Sequence, residues 1–597
     1  MDEQELRNLI ARVKSGTVSR RQFIHTLVGL GLAAPMAGQL LMHAGLAQAQ
    51  SVSAQYKPTK RGGGGLLKVL WWQAPTLLNP HFAVGTKDQD GARLFCEPLG
   101  EWDADANLVP ILAAEIPSVQ NGGVAKDGKS VIWKLKKNVQ WHDGKPFTAD
   151  DVVFNWEYAT DPATATVTSG VYKEARVEKI DSHSVRLTFP KPTPFWATLF
   201  VGTPGMIIPK HLFDAYRGAK SREAPANLKP VGTGPYKFVE FRPGDMVRGE
   251  INQNYHMPNR PHFDAIEMKG GGDAVSAARA VLQTGEFDFA WNMQVEDEIL
   301  KRLEQGGKGQ VDIAVTGHIE HIQINQSDPW TEVDGERASA RTRHPLLSHA
   351  AVREALNLLL DRTAVREHIY GRAAVATRNY VNAPERFRSP NNKWEFSIDK
   401  ANQVLEGAGW KRGADGIRAL DGKALKLVFQ TSINAPRQKT QQIFKQACQK
   451  AGIDLELKTI TPSVFFSSDA ANNDIYPKFY CDLQMLQFTL TEPDPARFMD
   501  RYCSWEVASR DNKWQGRNTT RWKNDDYDKA YRAAESELDS VKRAALFVRM
   551  NDLVIDNRVV IPVANIYRVS AIKHKLRAPQ SGWANSTWYI QDWYREA

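Results

Sequence analysis

Val139-Gln140-Trp141-His142-Asp143-Gly144-Lys145-Pro146-Phe147-Thr148-Ala149-Asp150-Asp151-Val152 carries the end of a strand, a turn and the start of a helix in one short stretch. The preceding run from Ser130 to Trp141 has strand composition, and Asp143-Gly144 is a tight-turn dipeptide, so a hairpin or meander is predicted here. Thr148 then stands where its hydroxyl meets free backbone N–H groups. Asp151 falls in the positive first turn of a helix that continues through Val152 to Tyr158.

Similar signals recur outward from this point. Leu66 to Trp72 is a short apolar run that reads as a buried strand. Tyr236 to Phe241 reads as another and turns at Pro243-Gly244-Asp245. Ser348 precedes a helix whose apolar positions Val352, Ala355, Leu356, Leu359 and Leu360 share one face, and Lys542 to Val554 has the same periodicity. No repeat period suggests a solenoid or propeller. The fold class is therefore α/β or mixed α+β. Tyr56 to Gly65 is polar and ends in four glycines, which makes residues 50–65 a flexible leader.

A chain of 597 residues with 42% hydrophobic residues buries a large core and holds several domains. At the N-terminus, Ser19-Arg20-Arg21-Gln22-Phe23-Ile24 is followed by a weakly apolar run, Leu27 to Leu46, broken by Gly29, Gly31, Pro35, Gly38 and His43. This resembles a twin-arginine export signal covering residues 1–49, with Ala47-Gln48-Ala49 as the cleavage site. The polar breakers make a permanent membrane helix costly. Formal net charge is +9, and the mature chain stays basic at +7. Lys and Arg are scattered among Asp and Glu, which describes a solvated surface and not a nucleic-acid partner. The four cysteines are too few and too widely spaced for a zinc module. Cys481 and Cys503 are left either as a disulfide or as two buried thiols.

Motifs with chemistry are sparse. His318-Ile319-Glu320-His321 lies among β-branched residues, so a strand is predicted with His318 and Glu320 on one face and His321 on the other. A surface strand fits this better than a metal site. Gly232-Thr233-Gly234-Pro235 is a structural turn, because the proline removes a donor that a phosphate cradle needs. There is no dinucleotide fingerprint and no close Cys/His cluster, so neither cofactor nor catalytic site is assigned. The 17 tryptophans are assigned mainly to packing, although such rings also line sugar and peptide pockets.

Taken together, Leu78-Asn79-Pro80-His81, Cys96-Glu97-Pro98-Leu99, the Val139–Val152 stretch, Pro230 to Tyr236, Asn254-Tyr255 with Arg260-Pro261, Gly285 to Asp288, and Val352 to Leu356 leading to Asp361-Arg362 resemble the family 5 extracellular solute-binding proteins of bacterial ABC importers. The resemblance implies a two-lobed periplasmic-binding-protein fold with an additional domain. Lobe 1 would comprise 66–97, 213–322 and 561–597, the additional domain 98–212, and lobe 2 323–560. It further implies a periplasmic monomer that is not an enzyme, captures a peptide or other small solute, and delivers it to an ABC permease in the inner membrane. The peptide-binding members anchor the ligand amine with an aspartate that aligns here with Thr491. Beside it stand Glu492 and, at the aromatic position, Phe488. Val84, Gly85 and Thr86 match the first-lobe contacts. The neutral residue at 491 leaves Glu492 as the candidate anchor or points to a ligand without an amine, such as an oligosaccharide or opine-like solute. An exported enzyme is the remaining alternative.

Overall fold

In the computed structural model, residues 57–83, 85–466 and 471–596 are described, with isolated positions near the N-terminus. The twin-arginine stretch Ser19–Ile24, the cleavage site and Val84 lie outside the described residues. Among the described residues no helix is long and apolar enough to cross a membrane.

Eleven strands form one continuous mixed sheet. In chain order they are β1 (Leu66–Leu70), β2 (Tyr236–Arg242), β3 (Met246–Ile251), β4 (Ala265–Lys269), β5 (Phe289–Ala290), β6 (Gly309–Ile324), β7 (Ala374–Ala376), β8 (Lys426–Ser432), β9 (Asp454–Ile460), β10 (Leu483–Phe488) and β11 (Val560–Lys573). Across the sheet they run β9-β8-β10-β6-β11-β5-β1-β4-β3-β2, with β7 added to β11. β1 pairs in parallel with β4 and β5, and β8 with β9 and β10. The long strands β6 and β11 pair antiparallel and join the two ends of the sheet. Their ladder is irregular between Ala314 and His318. On one side Gly309–Ala314 pairs with residues 568–573, and on the other His318–Gln323 pairs with residues 560–566.

The two ends have separate apolar cores, as strands buried on both faces require. Leu67, Val69, Trp71, Phe95, Tyr236, Met268 and Trp593 pack at one end, and Ile322, Leu356, Phe429, Leu455, Met485 and Ile561 at the other. A smaller antiparallel sheet, with Ser184–Thr188 between Ser130–Lys134 and Arg176–Asp181, carries the helix Ala149–Thr160.

The Val139–Val152 stretch forms the expected turn and helix cap. Gln140 bridges Pro146 around Gly144, whose φ is +89°. Thr148 and Asp151 make a reciprocal capping box. The strand before it is shorter than composition suggested and stops at Lys134. His142 then docks the hairpin onto the Gly232–Pro235 turn: its N–H donates to Gly232 O at 2.8 Å, and its ring meets Gly232 N at 3.1 Å and Gly234 O at 3.0 Å. That turn lies so close to the 95–96 backbone that a Cβ on Gly232 would sit 1.8 Å from Phe95 O.

Beneath it, fully buried Glu97 accepts from Thr233 Oγ1 (2.9 Å) and Tyr255 Oη (2.8 Å) and meets His256 Nε2 at 2.9 Å; Arg93 lies 3.8 Å away. Burial pushes this carboxyl up, but His256, Arg93 and Tyr255 outweigh it and hold it at about 2.

Two expectations need correction. Residues 61–65 do not hang free. Gly62 and Gly64 donate to Pro261 and His262 carbonyls, and Gly63 and Gly65 donate to the Asp264 carboxylate, so this segment lies along 252–264. Residues 318–321 form a strand, but not a surface one. β6 is flanked on both sides by β10 and β11, leaving His318 6% and Glu320 2% exposed. All four cysteines are buried free thiols.

Candidate functional site

A cleft runs between the two ends of the sheet and the smaller domain. Its inner part is a cavity of about 380 Å³ reached by Gly85, Thr86, Trp291, His318, Glu320, Arg437, Gln487, Arg568 and Asn585. It meets a second cavity of about 320 Å³ along Thr86, Gln89, Thr203, Thr489 and Thr491. The second opens past Glu492, Asp494, Arg497 and Arg517 into an outer space of about 520 Å³ against Lys191, Trp505 and Arg532. Volumes of this order suit a small solute or a short extended one.

The sequence-derived candidates divide by position. Gly85 and Thr86 begin the helix Thr86–Arg93 at the inner wall. Thr491 reaches both adjoining cavities and is exposed. Glu492 faces the second cavity and the outer space, not the inner one. Phe488 lines none of these three cavities. Strand alternation puts Gln487 and Thr489 on the cleft side, while Phe488 packs against His321 with centroids 4.8 Å apart and under the Arg501 guanidinium at 4.0 Å.

The electrostatics follow from which charges are already paired. Asp494, three positions after Thr491, forms a buried two-point ion pair with Arg543. It is therefore not available to a ligand. Burial pushes the Glu492 carboxyl up to about 7, with Arg497 opposing. In the inner cavity Glu320 receives Arg437 Nε at 2.9 Å and Nη2 at 3.2 Å, an edge-on fork that neutralises both charges. Arg568 has no such partner. Its Nη1 donates to the Ser581 (2.8 Å) and Ala584 (2.6 Å) carbonyls. His318, desolvated and beside Arg568, is pushed down to about 3, so its ring is neutral.

Arg568, Arg437 and Asn585 were missed by the sequence reading, and Glu320 was assigned there to a surface strand. The histidine motif pointed at β6, but nothing local marks Arg437 or Arg568 as neighbours of it.

The match to known proteins spans most of the chain. Residues 107–509 match the family model described as bacterial extracellular solute-binding proteins, family 5, middle. The chain belongs to this family. It is 28% identical over 495 residues to the oligopeptide-binding protein AppA of Bacillus subtilis, covering 81% of this chain and 83% of AppA. The crystal structure of that AppA with a nonapeptide superposes with a TM-score of 0.71 at 23% identity, covering 91% of this chain and all of the other. NikZ from Campylobacter jejuni, in complex with Ni(L-His), gives 0.72 at 21% identity over 89% of this chain and 99% of NikZ. The fold is the two-lobed periplasmic-binding-protein architecture of family 5, with its additional domain. Thr491 and Glu492 thus line the cleft of a solute-binding fold.

Proposed function

We propose that this protein is the periplasmic substrate-binding component of an ABC importer, capturing a peptide or related solute and delivering it to a membrane permease. The observation that carries this reading is the cleft in a family 5 chain, walled by both ends of one sheet. On this reading β6 and β11 connect the lobes, and the irregular ladder between Ala314 and His318 marks where one gives way to the other. The protein binds its solute without transforming it and acts as a monomer. Gly85, Thr86, Thr491 and Glu492 contact the ligand, together with the inner-cavity residues.

A ligand that binds only the native cleft stabilises it by mass action. Peptide and oligosaccharide pools at millimolar concentration are expected to raise the melting temperature and shift tryptophan emission, with the peptide pool giving the larger effect. If neither pool moves the melting point, these ligand classes are wrong. An opine-like or sugar solute is the second reading, favoured by neutral Thr491 and by the engagement of Asp494 with Arg543.

Export is proposed to use the twin-arginine route. Replacing Arg20 and Arg21 by lysine keeps the charge and removes the guanidinium fork. The double variant is expected to remain as a cytoplasmic precursor, and mature periplasmic protein would exclude this route.

A further inference from the structure

Three hydrogen-bonding side chains at the inner end of the cleft lack a partner for part of their capacity. Nη1 of Arg568 is held by two main-chain carbonyls, which fixes the guanidinium and leaves its Nε and Nη2 edge with no acceptor among the described residues. Asn585, 4% exposed, accepts from Thr203 Oγ1, yet its buried Nδ2 has no partner. His318 Nδ1 is buried and unpartnered as well. All three residues reach the same cavity. Buried polar groups are rarely left unsatisfied, and a guanidinium edge with two parallel donors matches a carboxylate. The same cavity shows what such an edge takes, because Arg437 presents Nε and Nη2 to the Glu320 carboxylate. No protein carboxylate is paired with Arg568. Asp90, its acidic neighbour, is fully buried and instead accepts from Trp71 Nε1 (3.1 Å) and Thr587 N (3.3 Å).

We propose that the inner end of the cleft is a carboxylate-binding site, in which the Nε/Nη2 edge of Arg568, with Asn585 Nδ2 beside it, grips an anionic end of the solute. This rests on the solute-binding reading above and names the ligand class: a compound with a free carboxylate at one end, directed toward β6 and β11. Neutral sugars and carboxyl-blocked peptides lack the group that the fork requires. Burying the guanidinium under a neutral ligand would desolvate its Nε/Nη2 edge with no acceptor in return.

The test uses two matched probe sets: tri- to pentapeptides and sugar acids with free carboxylates, and the same compounds as amides. Melting shifts identify binders, and calorimetry measures affinity for the wild type and for Arg568→Gln. The free acids are expected to bind the wild type about thirtyfold or more tightly than their amides, the scale of a desolvated charge contact. Arg568→Gln should lose that discrimination, and without ligand it should melt somewhat below the wild type because it gives up the Ser581 and Ala584 carbonyls. Equal binding of acids and amides by the wild type overturns the carboxylate site and leaves the solute-binding reading standing. Unchanged discrimination in a folded Arg568→Gln overturns the role of Arg568. Should that variant not fold, the acid-against-amide comparison on the wild type decides alone. If the wild type binds nothing in either set, the solute-binding reading for these ligand classes fails, and the carboxylate site fails with it.

Discussion

Glu97→Gln is the substitution whose effect the structure specifies most closely. The carboxylate is fully buried, and His256, Arg93 and Tyr255 hold it at about 2 instead of the ordinary 4.5. That difference favours the folded state by ~3 kcal/mol at neutral pH. Glutamine keeps the shape and some of the hydrogen bonds but leaves Arg93, 1% exposed, without its nearest anion. The sign follows from linkage. Because the folded-state pKa lies below the unfolded one, the unfolded chain takes up the proton first on acidification. The stabilisation is therefore complete above about pH 4.5 and is lost as pH falls toward 2. Urea unfolding followed by tryptophan emission, for wild type and variant from pH 7 down to pH 3, measures this. The expected gap is ~3 kcal/mol at pH 7, narrowing below pH 4.5. A gap that stays constant between pH 6 and pH 3 would refute the ionic origin, and a gap under ~1 kcal/mol at pH 7 would refute the magnitude.

Glu492→Gln tests the amine anchor: for a peptide with a free amino group it should weaken binding by about 2 to 5 kcal/mol and leave the N-acetylated form unaffected. Because burial places the Glu492 carboxyl at about 7, amine-dependent binding should strengthen between pH 6 and pH 8 as it ionises. Calorimetry showing equal binding of both peptide forms by both proteins removes the anchor. Gly232→Ala forces a Cβ against Phe95 O; a loss of at least ~1 to 3 kcal/mol in thermal or urea unfolding is expected, and a neutral result would mean the turn does not dock as described. Arg437→Met strands the Glu320 carboxylate in the cleft and should cost about 3 to 5 kcal/mol, most of it recovered in Arg437→Met/Glu320→Leu. A double variant as unstable as the single one contradicts the pairing.

Local chemistry was readable where short-range physics decides the structure. The Asp143-Gly144 turn, the Thr148–Asp151 capping box and the apolar face through Val352 and Leu356 depend on neighbours a few residues away, and each appears in place. The pairing of Asp494 with Arg543 and the fork of Arg437 on Glu320 depend on topology that no local pattern encodes. Phe488 illustrates the limit in another way. Alignment placed it beside the cleft, but a single step along β10 turns it into the core and brings Gln487 and Thr489 to the cavity instead. Residues 61–65 looked unstructured because glycines carry no packing signal. Their anchor is the Asp264 carboxylate, some 200 positions away.

The pairing of β11 with both ends of the sheet has a consequence for synthesis. β1 is made well before its neighbours, residues 265–269 and 289–290, and β5 in turn needs residues 571–572. Arg595 closes on the Gly64 carbonyl across 531 residues, and Arg93 on Trp588 across 495. Neither end of the sheet is complete until β11 is free, so the strands made before it hold open edges until it arrives. Such edges invite aggregation and slow folding. Completion of the sheet therefore waits for β11, and loss of β11 removes part of both ends of the sheet at once.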